Sequence, residues 1–171
     1  MSLSNILING RIAEISVSYS QRIMPSERVA VTNTNIVVDI LRYAWDDRTI
    51  ELYESFKVIL LNRNNKLLGV ASIAEGGITN TVVDVRILFA IALKCAAVAI
   101  ILAHNHPSGN INPSETDMLL TQKIIEGAKL LEIDVLDHVI ITLDSYYSFA
   151  QNGNMRFIPN IKQDQLNSEE F

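Results

Sequence analysis

The sequence predicts an α/β domain built on a central mixed β-sheet flanked by helices. Three observations predict it. Apolar stretches of strand length recur at 55–61, 66–74, 97–103 and 135–142, helix-period patterns lie around them, and 49% of the 171 residues are apolar against 19% charged. That is ample material for one filled core. A hairpin and helices alternating around one sheet favour a single domain of α/β or α+β type.

Each element has its own signal. Ile15, Val17 and Tyr19 alternate with small polar residues, which predicts an N-terminal strand. Asn33 or Thr34 caps a helix running to about Trp45, because Ile36, Val37, Ile40, Leu41 and Ala44 share one helical face. Ser55–Leu61 and Lys66–Ala74 read as strands, and Asn62-Arg63-Asn64-Asn65 between them has turn composition, so the pair forms a hairpin. Gly76-Gly77 breaks its second strand. A helix from about Val83 to Lys94 follows, then Ala97–Ala103, a continuous apolar run typical of a strand covered on both faces. Residues 104–113 are rich in Asn, Pro, Gly and Ser and read as loop. A long amphipathic helix spans about Glu115–Leu131, and strands follow at Val135–Thr142 and Tyr147–Phe149. The expected organisation is a lead-in over 1–29, the main domain over 30–150 and a polar tail over 151–171.

Composition excludes several classes. Low charge with few Pro and Gly excludes an intrinsically disordered chain. One cysteine excludes an intramolecular disulfide framework and an all-cysteine zinc site. A net charge of −5 argues against a dedicated duplex-DNA binder. Ile87–Ala103 is short for a membrane span and carries Lys94 near its centre. The N-terminus has no basic region followed by a long apolar core, so no secretory signal is read there and the expected location is cytoplasmic.

The chemistry concentrates in His104-Asn105-His106-Pro107-Ser108-Gly109-Asn110-Ile111-Asn112-Pro113-Ser114-Glu115-Thr116-Asp117. His104 and His106 stand at the end of a buried strand, and in extended chain residues i and i+2 project to one side. Two such imidazoles can share a metal ion. Asp117, about one turn into the next helix, can fold back to the same point. Two histidines and a carboxylate leave one position open, the arrangement of a catalytic zinc. Taken singly, each residue has a plainer role: a strand-end histidine, a turn, a helix N-cap at Ser114 with acidic residues in the first turn. The spacing of all of them together is hard to explain as a surface loop, and a capping Ser114 hydroxyl can also face a metal site.

Other metal motifs do not fit. A contiguous His-Asn-His is not the dispersed ββ-metal nuclease motif. The chain lacks the His-x-Glu and Pro-Cys-x-x-Cys of zinc nucleoside deaminases and the His-Glu-x-x-His of thermolysin-type peptidases.

With these residues in view the sequence resembles the RadC family, whose core is a JAMM (MPN-type) metalloprotease-like domain. The JAMM pattern is an upstream Glu, then His-x-His-Pro, then Ser-x-x-Asp; His104, His106, Pro107, Ser114 and Asp117 fit it. The RadC form is matched by Ala103–Gly109, Pro113-Ser114, Leu136-Asp137-His138 and Tyr147-Ser148-Phe149. The resemblance covers about residues 30–150 and implies the JAMM/MPN, cytidine-deaminase-like architecture. It also implies zinc held by His104, His106 and Asp117, with Ser114 hydrogen-bonding a developing oxyanion. Glu54, which precedes the Phe56–Leu61 strand, aligns with the family's catalytic carboxylate, with Glu51, expected in a helix end, and Glu75, expected in the turn at Gly76-Gly77, as competitors.

The implied activity is hydrolysis of a peptide or isopeptide bond in an unspecified peptide or protein. Two alternatives remain: a non-catalytic MPN-type scaffold, and a DNA-repair-associated accessory protein of the kind the family name suggests. Longer RadC proteins resemble a fusion of this domain to a helix-hairpin-helix module, and about 30 residues precede the matched region here, so no strong duplex-DNA binding is expected. Short members of this kind resemble proteins carried by mobile elements. His138 reads either as a partner or wall of the site or as a strand-end histidine with a backbone partner. Cys95 is expected to be buried and inert, and Trp45 to cover a core edge.

Overall fold

A computed structural model describes residues 23–76 and 82–155. The predicted strand around Ile15–Tyr19, Gly77, and Phe157 and Ile158 of the tail lie outside them. The elements are α1 (Thr34–Ala44), β1 (Ser55–Leu61), β2 (Leu67–Glu75), α2 (Val85–Lys94), β3 (Ala99–Asn105), α3 (Glu115–Leu130), β4 (Asp134–Ile141) and β5 (Tyr146–Ser148). The sheet order is β2-β1-β3-β4-β5. Only β3 and β4 run parallel; β1/β2, β1/β3 and β4/β5 are antiparallel. A parallel pair needs a long crossover, and α3 supplies it.

Local chemistry sets the boundaries. Asn33, in extended backbone, accepts the Ile36 N–H through its side chain at 3.2 Å and starts α1. Asp84 does the same for Arg86 at α2. In the hairpin turn Asn62 Oδ1 accepts from the amides of Asn64 and Lys66, and Asn65 adopts a positive φ of 51°. Asparagine tolerates that left-handed conformation better than most residues.

Both sheet faces are covered. Val58 and Leu60 of β1 and Ile100 and Leu102 of β3 face α2 and α3, packing on Leu88, Phe89 and Ile124. Ile59, Leu61, Ile101, Val139 and Ile141 face α1, packing on Val37, Leu41 and Trp45. This double coverage explains the uninterrupted apolar run of β3. Trp45 is buried in the α1-side core, with the Lys57 ammonium 4.9 Å from its ring centroid.

Several expectations need correction. His104 and Asn105 belong to β3, not to the following loop, because pairing with β4 continues through His104–Ile140 and Asn105–Ile141. Glu51 is in no helix end: α1 stops at Ala44, and Glu51 lies in turns beyond it. Glu75 is the last residue of β2, opposite Ser55, rather than a turn residue. Cys95, at the C-terminal cap of α2, is half-buried rather than buried, and burial pushes its thiol up, away from the reactive thiolate. No described helix is long and apolar enough to cross a membrane.

Candidate metal centre

β3 delivers His104 into the core on the α2/α3 side. The ring is 1% exposed and stacks parallel to Phe56, opposite it on β1, with centroids 6.2 Å apart. His106 follows just beyond the strand and projects to the same side, its ring centroid 4.7 Å from that of His104. It is anchored twice: its backbone N–H donates to Ile141, and its Nδ1 donates to the Asn110 carbonyl at 2.5 Å. A carbonyl only accepts, so Nδ1 carries a proton, and in the neutral ring the Nε2 lone pair faces His104 and Asp117. Gly109, at φ +76°, makes the turn that brings Asn110 back.

Asp117 arrives from the first turn of α3. Ser114 caps the helix and forms a capping box with it: the Asp117 N–H donates to Ser114 Oγ at 3.2 Å and the Ser114 N–H donates to Asp117 Oδ2 at 2.7 Å. The Ser114 hydroxyl also donates to Asp117 Oδ2 at 2.6 Å. The cap therefore orients the carboxylate towards the histidines.

The three groups converge. His104 Nε2 is 3.0 Å from His106 Nε2 and 3.2 Å from Asp117 Oδ1, and His106 Nε2 is 3.6 Å from Asp117 Oδ2. One ligand atom from each residue lies within 4.8 Å of the others, so the group could hold a metal ion. The donor set fits one: two imidazoles and a carboxylate suit zinc or another first-row metal. Burial alone would push the Asp117 carboxyl up, but the neighbouring His104 and His106 imidazoles and the Ser114 hydroxyl hold it far below the usual carboxylate range. The same Asp117 contact raises the His106 imidazole against its burial.

The centre opens into a cavity of about 650 Å³, lined also by Glu54, Phe56, Val83, Asn112 and Leu120. Burial pushes the Glu54 carboxyl above its ordinary 4.5, with His104 and His106 opposing the shift and Asp117 adding to it. Glu54 thus shares the cavity with His104, His106, Ser114 and Asp117. Glu51 faces a separate, smaller pocket with Pro107 and Asp144, on the far side of His106. Glu75 lines neither.

Two supporting residues escaped the sequence reading. Asn105 points to the opposite face of β3 from the two histidines and is fully buried. Its Oδ1 accepts from the Ser55 amide at 2.7 Å and its Nδ2 donates to the Ile50 and Tyr53 carbonyls at 2.7 and 2.8 Å, fastening the segment that carries Glu54 to β3. Thr121 is one helical turn beyond Asp117, the only local signal it offered, and it bonds both the Asp117 carbonyl and His138. His138 is no strand-end residue with a backbone partner: fully buried between Phe56 and Phe149, its Nε2 lies 2.8 Å from His104 Nδ1. Burial holds its pKa well below the ordinary histidine value.

Fold and site together define a class: a mixed-sheet domain with a candidate His-His-Asp metal centre at the end of its central strand. Residues 31–154 match the RadC-like JAB domain, and the chain belongs to that family. Curated relatives carry the name UPF0758 protein. The one from Flavobacterium johnsoniae is 46% identical over 101 residues, covering 59% of this chain and 44% of its own. The one from Symbiobacterium thermophilum is 36% identical over 129 residues (75% and 54%), and that from Caldanaerobacter subterraneus 36% over 145 (83% and 61%). The chain spans about half the length of the curated relatives it matches.

Proposed function

We propose that this domain is a zinc-dependent hydrolase of the JAMM type, cleaving a peptide or isopeptide bond. The observation that carries the reading is the convergence of His104, His106 and Asp117 in a cavity shared with a half-buried glutamate. His104, His106 and Asp117 would hold the zinc. A zinc there would supply Lewis acidity and make water acidic enough to lose a proton near neutral pH.

The chain's own groups do the rest. Glu54 takes the proton of the attacking water and returns it to the leaving nitrogen, a role its upward-shifted carboxyl suits. Ser114 hydrogen-bonds the oxyanion that develops on the substrate carbonyl, once its hydroxyl hydrogen turns away from Asp117 Oδ2. Phe56, Val83 and Leu120 offer an apolar wall to the substrate.

The partner is a peptide or protein rather than duplex DNA. No Lys or Arg is among the described residues lining the cavity, and the chain carries a net charge of −5. Random duplex should bind no tighter than about 100 μM at physiological salt, the weak end of ordinary non-specific binding. Sub-micromolar affinity with a steep salt slope would displace the peptidase reading.

The test of activity pairs metal analysis with peptide hydrolysis. Wild type should carry about one zinc per chain and cleave members of a peptide and isopeptide library. Glu54→Gln should keep the zinc and the fold while losing cleavage. Equal cleavage by Glu54→Gln would remove Glu54 from the mechanism.

A further inference from the structure

Behind the metal centre a line of buried hydrogen bonds runs from one ligand residue back to another. His104 Nδ1 meets His138 Nε2 at 2.8 Å, His138 Nδ1 meets Thr121 Oγ1 at 2.6 Å, and Thr121 Oγ1 donates to the Asp117 carbonyl at 2.5 Å. The line begins on a side chain that could hold metal and ends on the backbone of another. His104, Thr121 and His138 are each at most 1% exposed, so no bulk water competes for these bonds.

We propose that Thr121 and His138 are positioning residues that fix the tautomer of His104, so that its Nε2 lone pair, not an N–H, faces the metal position. The polarity follows from the far end. The Asp117 carbonyl can only accept, so Thr121 gives it the one hydroxyl proton. The Thr121 oxygen is then left to accept, so His138 Nδ1 must carry a proton and donate. A fully buried imidazole with no carboxylate among its hydrogen-bond partners keeps a single proton, because a second would bury an unpaired charge. His138 Nε2 is therefore an acceptor, and His104 Nδ1 must donate to it. His104 Nε2 is left unprotonated, pointing at His106 Nε2 and Asp117 Oδ1.

His106 reaches the same state by a shorter route, through the Asn110 carbonyl. With both rings neutral, two lone pairs and a carboxylate converge, a set that a cation completes. The device also couples geometry to protonation. The carbonyl that sets the direction belongs to Asp117, so a shift of the α3 N-terminus moves one ligand and releases the orientation of another.

The proposal rests on the metal reading, and its test separates the two. Thr121→Val keeps shape and burial but can neither donate to Asp117 nor accept from His138. Thr121→Ser keeps the hydroxyl and gives up a methyl. Zinc affinity would be measured by competition with a chromophoric chelator, and the ring protons of His104 and His138 by ¹⁵N-resolved NMR of the metal-free protein. Wild type and Thr121→Ser should bind zinc with similar affinity and show Nδ1–H on both rings. Thr121→Val should bind about 10–100-fold more weakly, the usual cost of losing a partner behind a metal ligand, and should lose the single-tautomer signature. If wild type binds no zinc, the metal reading fails, and the NMR result still decides the tautomer. If wild type binds zinc and Thr121→Val binds it equally well, or Thr121→Val keeps Nδ1–H on both rings, proton order does not govern the site and the proposal is overturned.

Discussion

His104 and Asn105 are neighbours at the end of β3, equally buried, and face opposite cores. Their polar atoms are treated differently. Asn105 is saturated: its oxygen accepts from the Ser55 amide and hydroxyl, and its amide donates to two backbone carbonyls. All but the hydroxyl are main-chain partners, and nothing is left over. His104 is bonded at one nitrogen by another side chain and turns the other towards a cavity lined by a carboxylate and a second histidine. A saturated buried polar group holds the fold, whereas a buried group with one nitrogen turned into a cavity is placed to bind. The first face of β3 fixes where Glu54 sits; the second presents the candidate metal position.

This contrast can be broken by substitution. The largest expected effect is from Asn105→Ala, which strands the Ser55 amide and the Ile50 and Tyr53 carbonyls. Urea unfolding should show a loss of about 3–5 kcal/mol, since each buried group left unpaired costs about 1–3. The folded fraction should keep its zinc stoichiometry. A stable Asn105→Ala that had lost its zinc would erase the distinction between the two faces. His106→Ala should do the reverse. Its side chain is 15% exposed and bonds the exposed Asn110 carbonyl, so unfolding of the metal-free protein should change by about 1–2 kcal/mol, while zinc affinity falls by at least about a hundredfold as three protein ligands become two.

Asp137 gives a third, intermediate case, again of the saturated kind. Its carboxylate accepts from the His138 and Ala150 amides and the Ser148 hydroxyl, tying β5 to β4. Asp137→Ala should cost about 2–3 kcal/mol by calorimetry or urea, and Asp137→Asn much less, because an amide oxygen can still accept from the two backbone amides. Burial raises the Asp137 pKa above 3.8 despite these donors. Between 3.8 and that raised value the folded state binds more protons than the unfolded one, so this group's contribution falls as pH rises through the window. Asp137→Asn should therefore gain on wild type as pH rises from the acid side. The smallest effect belongs to Gly127 in α3, where an added Cβ would lie 2.7 Å from the Phe89 ring of α2. Gly127→Ala should cost about 1 kcal/mol as the ring shifts, with no change in zinc binding.

Much of this was legible in the chain. Strands covered on both faces read as unbroken apolar runs, and two helices begin at Asn33 and Ser114, whose side chains cap them, whereas the cap at Asp84 lies inside the stretch read as helix from Val83. The candidate ligands were legible because His104, His106 and Asp117 lie in one continuous segment with a strand before it and a capped helix after it. The supports were not, because they act across sequence. His138 lies 34 residues from His104 and reaches it only because the parallel pairing sets β4 beside β3. Asn105 works on Ser55, 50 residues away. The strand boundary at Asn105 was misplaced because Asn, Pro and Gly composition marks a loop, while pairing with β4 carries the strand two residues further.

Zinc titration of the purified chain, with and without one ligand, decides whether His104, His106 and Asp117 form one metal site. About one tightly bound zinc per chain is expected in wild type and in Glu54→Gln, and none retained through gel filtration by His106→Ala. Full zinc retention in His106→Ala, with the fold intact, would contradict that site.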